Sequence, residues 1–594
     1  MKASDVIADF LEQNSIDTVF GIIGSANSYI FDSIDKKGYT RIIYVHHEQA
    51  AVMAAGAYYR ASGRMSAALV TAGPGAINSL TGVVSNWADS IPTIIISGQE
   101  STQYLKEHSD LRMIGTQGFE ACEMVKDVTK YSNVVKESKD ILYELEKCLH
   151  IASSGRPGPT WLDIPFDIQS KEIEEELTVF EPEQIQYGDA EIEQIISMIN
   201  KSERPVIMGG HGVRLSGSKK IFRELVNQLK IPVLLSWSGV DLLEEDNSFN
   251  FGRAGLYGQR RANFVIQNCD LLIVLGSRLA LPQTGYNINN FAPSAKIIMI
   301  NNDSNELKKH EQRYDLKIHQ DCKQVIELLQ VKEIDSYKKE WVDQCNSYKE
   351  KFPTVEKHHK ETNIEHTNSY VFMDEISNHL KSDHVIVCGM GTPMPSSHQA
   401  LRLKEDQIMF TSNGLGEMGV GLPFAVGAAL SQPDRDIVCF MSDGSMMMNL
   451  QELQTIINYG LPVKIVLFNN DGYLFIKHTQ KMLFKGHYVG VNKDTGITLP
   501  NYEKVANAFG YKYFKDRACD IEEFLNCEGA AIYEVFMHPD QELSPKVKGV
   551  ALEDGSIFPP PIEEMSPLLD LKTMEENMII GMNEDSKFID RENK

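Results

Sequence analysis

Apolar residues along this chain gather into short runs rich in valine, isoleucine and leucine, and these runs alternate with segments whose apolar positions recur at helical spacing. Such runs are typical of buried parallel strands, and their alternation with helices is typical of α/β folds. The pattern therefore predicts strands at the runs RIIYV, SAALVT, TIIISG, RPVIMGG, IPVLLS, DLLIVLG, AKIIMIN, DHVIVCG, QIMFTS, DIVCFMSDGS, PVKIVLFNND and GAAIYEVF.

The runs fall into three blocks, because the polar stretches SKEIEEELTVFEPEQIQYGD and SYKKEWVDQCNSYKEKFPTVEKHHKETNIEH interrupt the pattern. We predict an α/β fold of three doubly wound parallel-sheet domains over residues 1–175, 188–335 and 365–545, followed by an acidic, proline-bearing C-terminal tail over 546–594. The length of 594 residues agrees with this division, since a domain usually takes about 150 residues.

The amino-acid composition limits which kinds of binding partner and which cellular compartment we expect for this protein. The net charge of −24, with acids and bases interspersed, disfavours nucleic acid, whose phosphates need a basic surface. The nine cysteines form no CxxC pair, which indicates reduced thiols in a cytoplasmic protein. Val6, Ile7, Phe10 and Leu11 mark an amphipathic N-terminal helix rather than a signal peptide. No apolar run reaches the roughly 18 residues of a membrane span, so we expect no membrane partner.

One strand-helix-strand unit carries candidate chemistry. The stretch RDIVCFMSDGSMMMNLQELQTIINYG predicts a buried strand, a turn at Asp443, Gly444 and Ser445, and a helix ending at Gly460. The next strand runs into Asn470, and the carboxyl ends of adjacent parallel strands meet at one sheet edge. Asp443 and Asn470 are therefore candidate oxygen ligands of Mg²⁺, while amides at the helix start can bind a diphosphate. A plain helix cap is the alternative for Asp443.

This unit resembles the thiamin-diphosphate (ThDP) motif, which begins with Gly-Asp-Gly and ends with Asn-Asn. Here Ser442 replaces the leading glycine, a departure that leaves every metal-binding oxygen in place. The resemblance implies that Asp443, Asn470 and the carbonyl of Gly472 bind Mg²⁺, and that Gly444 and Ser445 contact the diphosphate. The third domain would then be the diphosphate-binding domain.

The segment IIYVHHEQAAVMAAGAYYRASGRMSAALVTAGPGAIN, with the residues up to IIISGQ, is similar to the N-terminal, pyrimidine-binding domain of acetolactate synthase-like ThDP enzymes. The family's catalytic glutamate corresponds to Glu48, which would hydrogen-bond the aminopyrimidine ring of the cofactor. Gly73 and Gly75 would permit close approach of the backbone to the cofactor. We expect structural roles for His46 and His47. Without the resemblance, the simplest interpretation is that Glu48 is a solvated residue at the start of a helix and that the GPG sequence forms an ordinary turn.

The segment TSNGLGEMGVGLPFAVGAAL resembles the family segment that supports the thiazolium ring. It places Gly416 in the cofactor site and gives Met418 the position of the bulky residue that bends the cofactor. The run Met446–Met448 is expected to be mostly core filler, with Met448 lining the cofactor pocket. The resemblance also implies that Glu48 and Asp443 come from opposite subunits of a homodimer or homotetramer.

The second block is similar to the central domain of acetolactate synthases, which binds FAD. The family segment Arg-Phe-Asp-Asp-Arg-Val-Thr-Gly corresponds to residues 278–285, where Arg278, Thr284 and Gly285 match and both acids are lost. FAD is therefore one expectation for this domain. The alternative is a structural domain with a vestigial pocket.

Two departures from the family concern the substrate. Thr479, in the stretch FIKHTQKMLF that begins at Phe475, stands where acetolactate synthases have a tryptophan, and losing an indole opens the pocket. Glu120 replaces a substrate-contacting glutamine. The tail stretch KGVALEDGSIFPPPIEEMSPLLDL resembles the tails of carboligases that act in surface polysaccharide synthesis on keto-sugar nucleotides.

These features predict a ThDP-dependent enzyme that decarboxylates a 2-oxoacid, pyruvate, and joins the two-carbon unit to an acceptor carbonyl, a nucleotide-linked keto-sugar. Acetolactate synthesis and simple decarboxylation to an aldehyde are the alternatives within the same chemistry. A non-catalytic homologue is disfavoured because Glu48, Asp443 and Asn470 are all present. A dehydrogenase is disfavoured because no GxGxxG stands in a suitable strand-helix unit.

Overall fold

The computed structural model describes residues 1–105, 111–183, 186–188, 190–361, 365–551, 557–589 and 591. Every apolar run predicted as a strand forms one, and the strands build three parallel sheets of six, five and six strands with flanking helices. The predicted α/β class is therefore confirmed. Part of the predicted tail, residues 552–556, 590 and 592–594, lies outside the described residues.

The first sheet has the strand order β2-β1-β3-β4-β6-β5. Its strands are β1 (Thr18–Gly21), β2 (Arg41–Tyr44), β3 (Ala67–Val70), β4 (Thr93–Gln99), β5 (Tyr131–Val134) and β6 (Pro159–Pro165). Its helices are α1 (Ala3–Gln13), α2 (Ser28–Lys37), α3 (Glu48–Ser62), α4 (Pro74–Asn78), α5 (Leu80–Ala88), α6 (Ala121–Met124), α7 (Ile141–Ser153) and α8 (Phe166–Ser170). The apolar face of α1 is buried, which confirms the predicted N-terminal helix.

The central sheet has the order β11-β10-β9-β7-β8. Its strands are β7 (Pro205–Gly209), β8 (Val233–Leu235), β9 (Leu271–Leu275), β10 (Lys296–Asn301) and β11 (Leu316–His319). Its helices are α9 (Ile192–Lys201), α10 (His211–Leu215), α11 (Lys219–Leu229), α12 (Arg260–Asn268), α13 (Leu281–Thr284), α14 (Glu306–Lys309) and α15 (Cys322–Gln330). The second polar stretch of the sequence forms α16 (Lys339–Lys351) and α17 (Lys357–Lys360), and α16 buries Trp341 and Tyr348 against the central domain.

The third sheet has the order β13-β12-β14-β15-β17-β16. Its strands are β12 (Val385–Cys388), β13 (Ile408–Phe410), β14 (Ile437–Ser442), β15 (Val463–Asn469), β16 (Lys512–Lys515) and β17 (Ala531–Phe536). Its helices are α18 (Ser369–His379), α19 (Pro393–Ala400), α20 (Gly421–Ser431), α21 (Asp443–Met446), α22 (Glu452–Asn458), α23 (Leu474–Leu483), α24 (Tyr502–Phe509) and α25 (Ile521–Asn526).

All three sheets share one arrangement of their first four strands. Counted within each sheet, the order is 2-1-3-4-6-5 in the first and third sheets and 2-1-3-4-5 in the central one. In doubly wound sheets of this order, ligands bind at the carboxyl edge where the first and third strands lie side by side and the connections diverge. The topology therefore marks three edges as candidate sites: the ends of β1 and β3, of β7 and β9, and of β12 and β14.

The first and third domains share a hydrophobic core, because α3 packs directly on α20. Small residues make this close approach possible. A Cβ built on Gly427 of α20 would lie 2.1 Å from the carbonyl oxygen of Ala54 in α3. Any larger residue at position 427 would push the helices apart, at a cost of about 1–3 kcal/mol.

The tail packs mainly on the central domain. It contains β18 (Lys546–Val547), β19 (Val550–Ala551), β20 (Ile557–Phe558), β21 (Met565–Ser566) and α26 (Leu571–Asn577). β18 pairs antiparallel with β21. Asn263 of α12 donates to the carbonyl of Ile562, 2.7 Å away, and Met574 and Met578 join the central core. The tail therefore covers part of the central domain, and its first residues lie beside the third domain.

Candidate active site

Asp443 is the first residue of α21 and is fully buried at the end of β14. One carboxylate oxygen accepts the amide N–H of Gly444, at 2.8 Å, and the other accepts the amides of Asn470 and Gly472, at 2.9 and 3.2 Å. Burial raises the pKa of the Asp443 carboxyl to about 7, although the backbone donors oppose this shift. The acid is therefore much more than a helix cap, since it ties together the ends of β14 and β15.

The loop after β15 has an unusual backbone that places these donors. Asp471 has a φ of 58° and Gly472 a φ of 151°, and a Cβ on Gly472 would lie 2.1 Å from the carbonyl oxygen of Val491. Non-glycine residues rarely adopt positive φ, and such strain concentrates at functional sites. This loop conformation turns the amides of Asn470 and Gly472 toward Asp443.

The side chain of Asn470 shows whether this site is suited to a metal ion. Its side-chain N–H donates to the hydroxyl of Thr392, 3.4 Å away, while its carbonyl oxygen is buried without a hydrogen-bond partner among the described residues. A buried acceptor without a partner costs about 1–3 kcal/mol. This free oxygen and the remaining lone pairs of Asp443 form a hard-oxygen set that fits Mg²⁺. No group of three or more His, Cys, Asp or Glu side chains suited to a metal occurs in the described part of the chain.

The serine that replaces the family glycine has a clear role. Ser442 has φ −98°, an ordinary extended value, so no glycine is needed there. Its hydroxyl donates to the carbonyl oxygen of Met390, 2.7 Å away. The residue that must be glycine is Gly391, with φ 102° and the Ser442 hydroxyl 2.4 Å from where its Cβ would be. Ser442 thus links the ends of β12 and β14.

The predicted helix from Met446 to Gly460 is wrong in part. It is split into α21, a 3-10 turn over Met447–Asn449, and α22. Asn449 turns inward and donates to the carbonyl of Gly419, 2.9 Å away, so its side chain bonds a neighbouring loop. Met446 is buried, but Met447 and Met448 are 40% and 49% exposed, so the methionine run is not mostly core filler.

The loop that carries Gly416 and Met418 lies against this turn. Gly419 donates its N–H to the hydroxyl of Ser445, 2.9 Å away, and a Cβ on Gly419 would lie 2.5 Å from that of Met448. Gly416 has φ 74°. The structure therefore brings Gly419, the residue after Met418, against Ser445 and Met448, just after Asp443.

Glu48 lies in the other half of the predicted site, at the start of α3. Asn78, at the end of α4, donates to its carboxylate at 3.0 Å, and a Cβ on Gly75 would lie 3.3 Å from the other carboxylate oxygen. Gly73 has φ 65°, and its Cβ would meet the side chain of Gln117 at 2.8 Å. Asn78 was missed by sequence reasoning, although it ends the quoted AGPGAIN stretch.

The two residues that differ from the family in the predicted substrate pocket lie on different domains. Glu120 is exposed just before α6, in the segment whose Gln117 packs on Gly73. Thr479 is exposed on α23, and its hydroxyl donates to the carbonyl of Phe475 within the helix. The Phe475 ring lies 6.2 Å from the ring of Tyr257 in the central domain.

The two halves remain separate within one chain. Among the described residues, no hydrogen bond or ion pair joins Glu48 to Asp443 or Asn470. The halves do share a scaffold, because His46 donates its N–H to buried Glu452 of α22 at 3.2 Å. His47 accepts the N–H of Gln49 and so caps α3.

The central sheet has its own cavity, of about 290 Å³, at the carboxyl ends of β7 to β10. His211 lines it, and both of its ring nitrogens are buried without a partner among the described residues. Burial and the nearby Arg214 lower the pKa of His211 well below its usual value. Arg278 lines the cavity, whereas Gly285 packs against Ile562 of the tail.

This fold and its buried oxygen set define an α/β protein whose third sheet has, at its carboxyl edge, a site suited to a metal ion. Models of the thiamine pyrophosphate enzyme domains match in chain order: the N-terminal TPP binding domain over residues 1–122, the central domain over 192–329 and the C-terminal TPP binding domain over 389–535. The chain belongs to the thiamine pyrophosphate enzymes, in the acetolactate synthase-like family.

Curated relatives agree over most of the chain. The acetolactate synthase isozyme 1 large subunit of Escherichia coli (strain K12) is 31% identical over 92% of this chain and 95% of its own length. The isozyme 2 large subunit of the same organism is 31% identical, over 86% and 90%. The acetolactate synthase large subunit of Lactococcus lactis subsp. lactis (strain IL1403) is 29% identical, over 86% and 88%.

The nine cysteines are all free thiols. Among the described residues, none of the helices combines the length and the apolar character that crossing a membrane requires.

Replacing Asp443 by alanine should weaken Mg²⁺-dependent ThDP binding at least about 100-fold, since even partners that only orient metal ligands contribute about 10–100-fold. Titration calorimetry of the protein with ThDP, with and without Mg²⁺, measures the loss. Asp436→Ala is the matched control, because Asp436 precedes the other end of the same strand. Unchanged binding by the Asp443 variant would rule out its role as a ligand.

Proposed function

We propose that this enzyme decarboxylates a 2-oxoacid, pyruvate, and transfers the two-carbon unit to the carbonyl group of an acceptor. The observation that carries the proposal is the pairing of buried Asp443 with the unpartnered amide oxygen of Asn470. This pairing fits Mg²⁺ at the edge of a domain that matches the TPP binding domain. Relatives named acetolactate synthases support the same chemistry.

Each half of the site has a role in this reaction. When bound, ThDP would supply a carbon nucleophile for the 2-oxoacid and an acceptor for the electron pair that departing CO₂ leaves behind. Asp443, Asn470 and the carbonyl of Gly472 would hold the Mg²⁺, and the start of α21 at Ser445 would face the diphosphate, while the Gly444 N–H orients Asp443. Glu48, oriented by the Asn78 hydrogen bond, holds a proton at the aminopyrimidine ring.

The complete site is proposed to form between two copies of the chain, in a homodimer or homotetramer. The elements that carry the two halves expose large apolar side chains in the single chain. Ile77 follows the Gly73–Gly75 turn and is 39% exposed, and Leu415, Met447 and Met448 are 40–49% exposed beside the metal loop. A second copy would cover this apolar surface and bring its own Glu48 to Asp443.

The proposed acceptor is a nucleotide-linked keto-sugar in surface polysaccharide synthesis. Thr479 supports a bulky acceptor, because it is exposed on the helix that follows the metal loop and leaves space where acetolactate synthases have an indole. Glu120, also exposed, supports an acceptor with hydroxyl groups rather than a second small oxoacid. The all-thiol cysteines support a cytoplasmic location.

Acetolactate synthesis is the second candidate function. It is favoured by the two Escherichia coli large subunits, at 31% identity over most of both chains. It shares every step up to CO₂ release with the first candidate and differs only in the acceptor.

FAD is the second cofactor that we propose for this protein, in the central domain. A cavity of about 290 Å³ with polar strand-end residues, His211 and Arg278 agrees with part of a nucleotide, since ligand pockets span roughly 300–1,000 Å³. The absorbance spectrum of the purified protein decides this point. A flavin band in stoichiometric amount supports FAD, and a colourless protein that takes up no added FAD excludes it.

Glu48→Gln should lower pyruvate consumption by about 10²–10⁴-fold, the usual contribution of a positioned proton-transfer group, while ThDP binding persists. Single-turnover CO₂ release and ThDP titration are measured on the same samples. Glu12→Gln is the control, because Glu12 lies on α1, is partly exposed and pairs with Lys37. Undiminished turnover would remove Glu48 from the mechanism.

Thr479→Trp should shift the preference toward small acceptors by about tenfold or more in kcat/KM, because an indole fills space that a bulky acceptor needs. The measurement sets pyruvate against a panel of acceptors and follows CO₂ release and product mass. Thr479→Val, which is close in size, should leave the preference as it is. An unchanged preference in the tryptophan variant would contradict the pocket assignment.

A further inference from the structure

A second group of polar residues lies beside the metal loop and takes no part in metal binding. Helix α23 begins two residues after Gly472, and the segment that links β17 to the tail, residues 537–545, packs beside it. Lys477 ties the two together, donating to the carbonyl of Pro539 at 3.1 Å and pairing with Asp540 at 2.6 Å. The lysine cluster, as we name it, consists of His478 and Lys481 of α23 with Lys546 and Lys548 of the tail.

The charge of the lysine cluster is only partly balanced. Glu542 pairs with Lys481 at 3.3 Å and with Lys548 at 3.4 Å, so one carboxylate serves two ammonium groups. Lys546 forms no hydrogen bond or ion pair among the described residues, and its ammonium lies 5.9 Å from the centre of the Tyr257 ring. Three lysines around one acid form a local positive site on a protein of net charge −24.

Lys546 is also buried, with 9% of its surface exposed. Burial lowers its pKa to about 8, and the neighbouring lysines oppose the attraction of Glu542. The stem of Lys546 is buried while its ammonium still reaches solvent, so the charge keeps only part of its hydration and has no anionic partner within ion-pair distance among the described residues. A bound anion would offset the lost hydration.

His478 provides an independent sign of a missing partner. Both of its ring nitrogens are buried and form no hydrogen bond among the described residues. Burial, with Lys546 next to it, lowers the pKa of His478 to about 4, so the ring is neutral and has one N–H to donate. Buried polar groups left unsatisfied in a native fold usually await a ligand or water.

An anion with several acceptor oxygens and more than one charge would satisfy all these groups. Phosphate and diphosphate have that character, and lysine ammonium groups bind them as point charges. The neighbouring rings of Tyr257 and Phe475, 6.2 Å apart, add an aromatic wall on which a flat ring can pack. The combination of diphosphate and flat ring is that of a nucleoside diphosphate.

The position along α23 agrees with a role in acceptor binding. With a rise of about 1.5 Å per residue, Lys481 lies about 10 Å along the helix from its start beside the metal loop. That separation suits an acceptor whose carbonyl reaches the cofactor while its phosphates lie further out. Thr479 occupies the same helix between them.

We propose that the lysine cluster binds the diphosphate of the nucleotide-linked acceptor, with Lys546 and His478 as the buried contacts and Lys481 and Lys548 at the rim. This inference rests on the proposed function, because it identifies how that reaction would recognise its acceptor. It makes Lys546 a specificity-determining residue that acceptors without phosphate would not use.

Titration calorimetry on the holoenzyme, saturated with ThDP and Mg²⁺, tests the proposal with UDP, CDP, GDP and dTDP as probes and the matching nucleosides as uncharged controls. At least one nucleoside diphosphate should bind, with an affinity that falls as salt rises. Lys546→Met and Lys548→Gln should each weaken that binding about tenfold or more, whereas Lys546→Arg should retain most of it. Thermal unfolding and ThDP affinity verify that each variant is folded.

Lys512→Gln is the matched control, because Lys512 is an exposed lysine on strand β16 of the same domain. Equal binding by wild type and Lys546→Met overturns the proposal and assigns the nucleotide to another site, such as the central cavity. A raised KM for pyruvate with unchanged nucleotide affinity overturns it in favour of donor binding.

CO₂ release from pyruvate by the wild-type enzyme separates this inference from the proposed function. Release without binding of any nucleoside diphosphate overturns the lysine cluster assignment alone. Binding that the variants weaken, in an enzyme that releases no CO₂, supports the cluster and overturns the proposed donor chemistry.

Discussion

The burial of one carboxylate, Asp443, is the constraint on which the cofactor site depends. Its oxygens accept three backbone N–H groups and form no ion pair among the described residues. Burying an anion with only neutral donors is unfavourable, which is why its pKa is raised to about 7. A divalent cation reverses this imbalance, because its charge favours the ionised carboxylate. The strained loop at Asp471 and Gly472 keeps the donors in place around this carboxylate.

The repeated strand order explains why the chemistry is distributed over three domains. In each sheet the connections leave the first and third strands in opposite directions, at the same point of the strand order. A candidate site lies at the carboxyl edge of each sheet at that point. The first edge holds the Gly73–Gly75 turn next to Glu48, the central edge holds the cavity at His211, and the third holds Asp443. The close packing of α3 on α20 sets the relative position of the first and third domains within one chain.

In the proposed reaction, helix α23 would connect cofactor binding to acceptor recognition. Its first turn follows the loop after β15, and its exposed face carries Thr479. Lys477 and Lys481 pair with Asp540 and Glu542 of the segment that leads into the tail. Because the tail also packs on the central domain, a single segment joins the central domain to the acceptor side of the site. Changes in the tail can therefore alter acceptor preference without changing any group that binds ThDP or Mg²⁺.

The sequence by itself determined the fold class and the pairing of Asp443 with Asn470. Apolar runs of strand length are local signals, and adjacent parallel strands must end at the same edge. The three domain boundaries and the site roles remain predictions. The helix after Asp443 was overextended, because the inward turn of Asn449 depends on the carbonyl of Gly419 from a distant loop.

Only the tertiary structure decided which side chains complete each site. Asn78 reaches Glu48, Thr392 reaches Asn470, and Lys546 approaches His478, in each case across many residues of chain. The periodicity and spacing of residues do not predict these side-chain contacts, because the contacts depend on how the helices and the tail pack on the sheets. The tertiary structure also leaves the amide oxygen of Asn470 buried and unpaired. An oxygen in this position is suited to bind a metal ion, because a bound ligand would offset its desolvation.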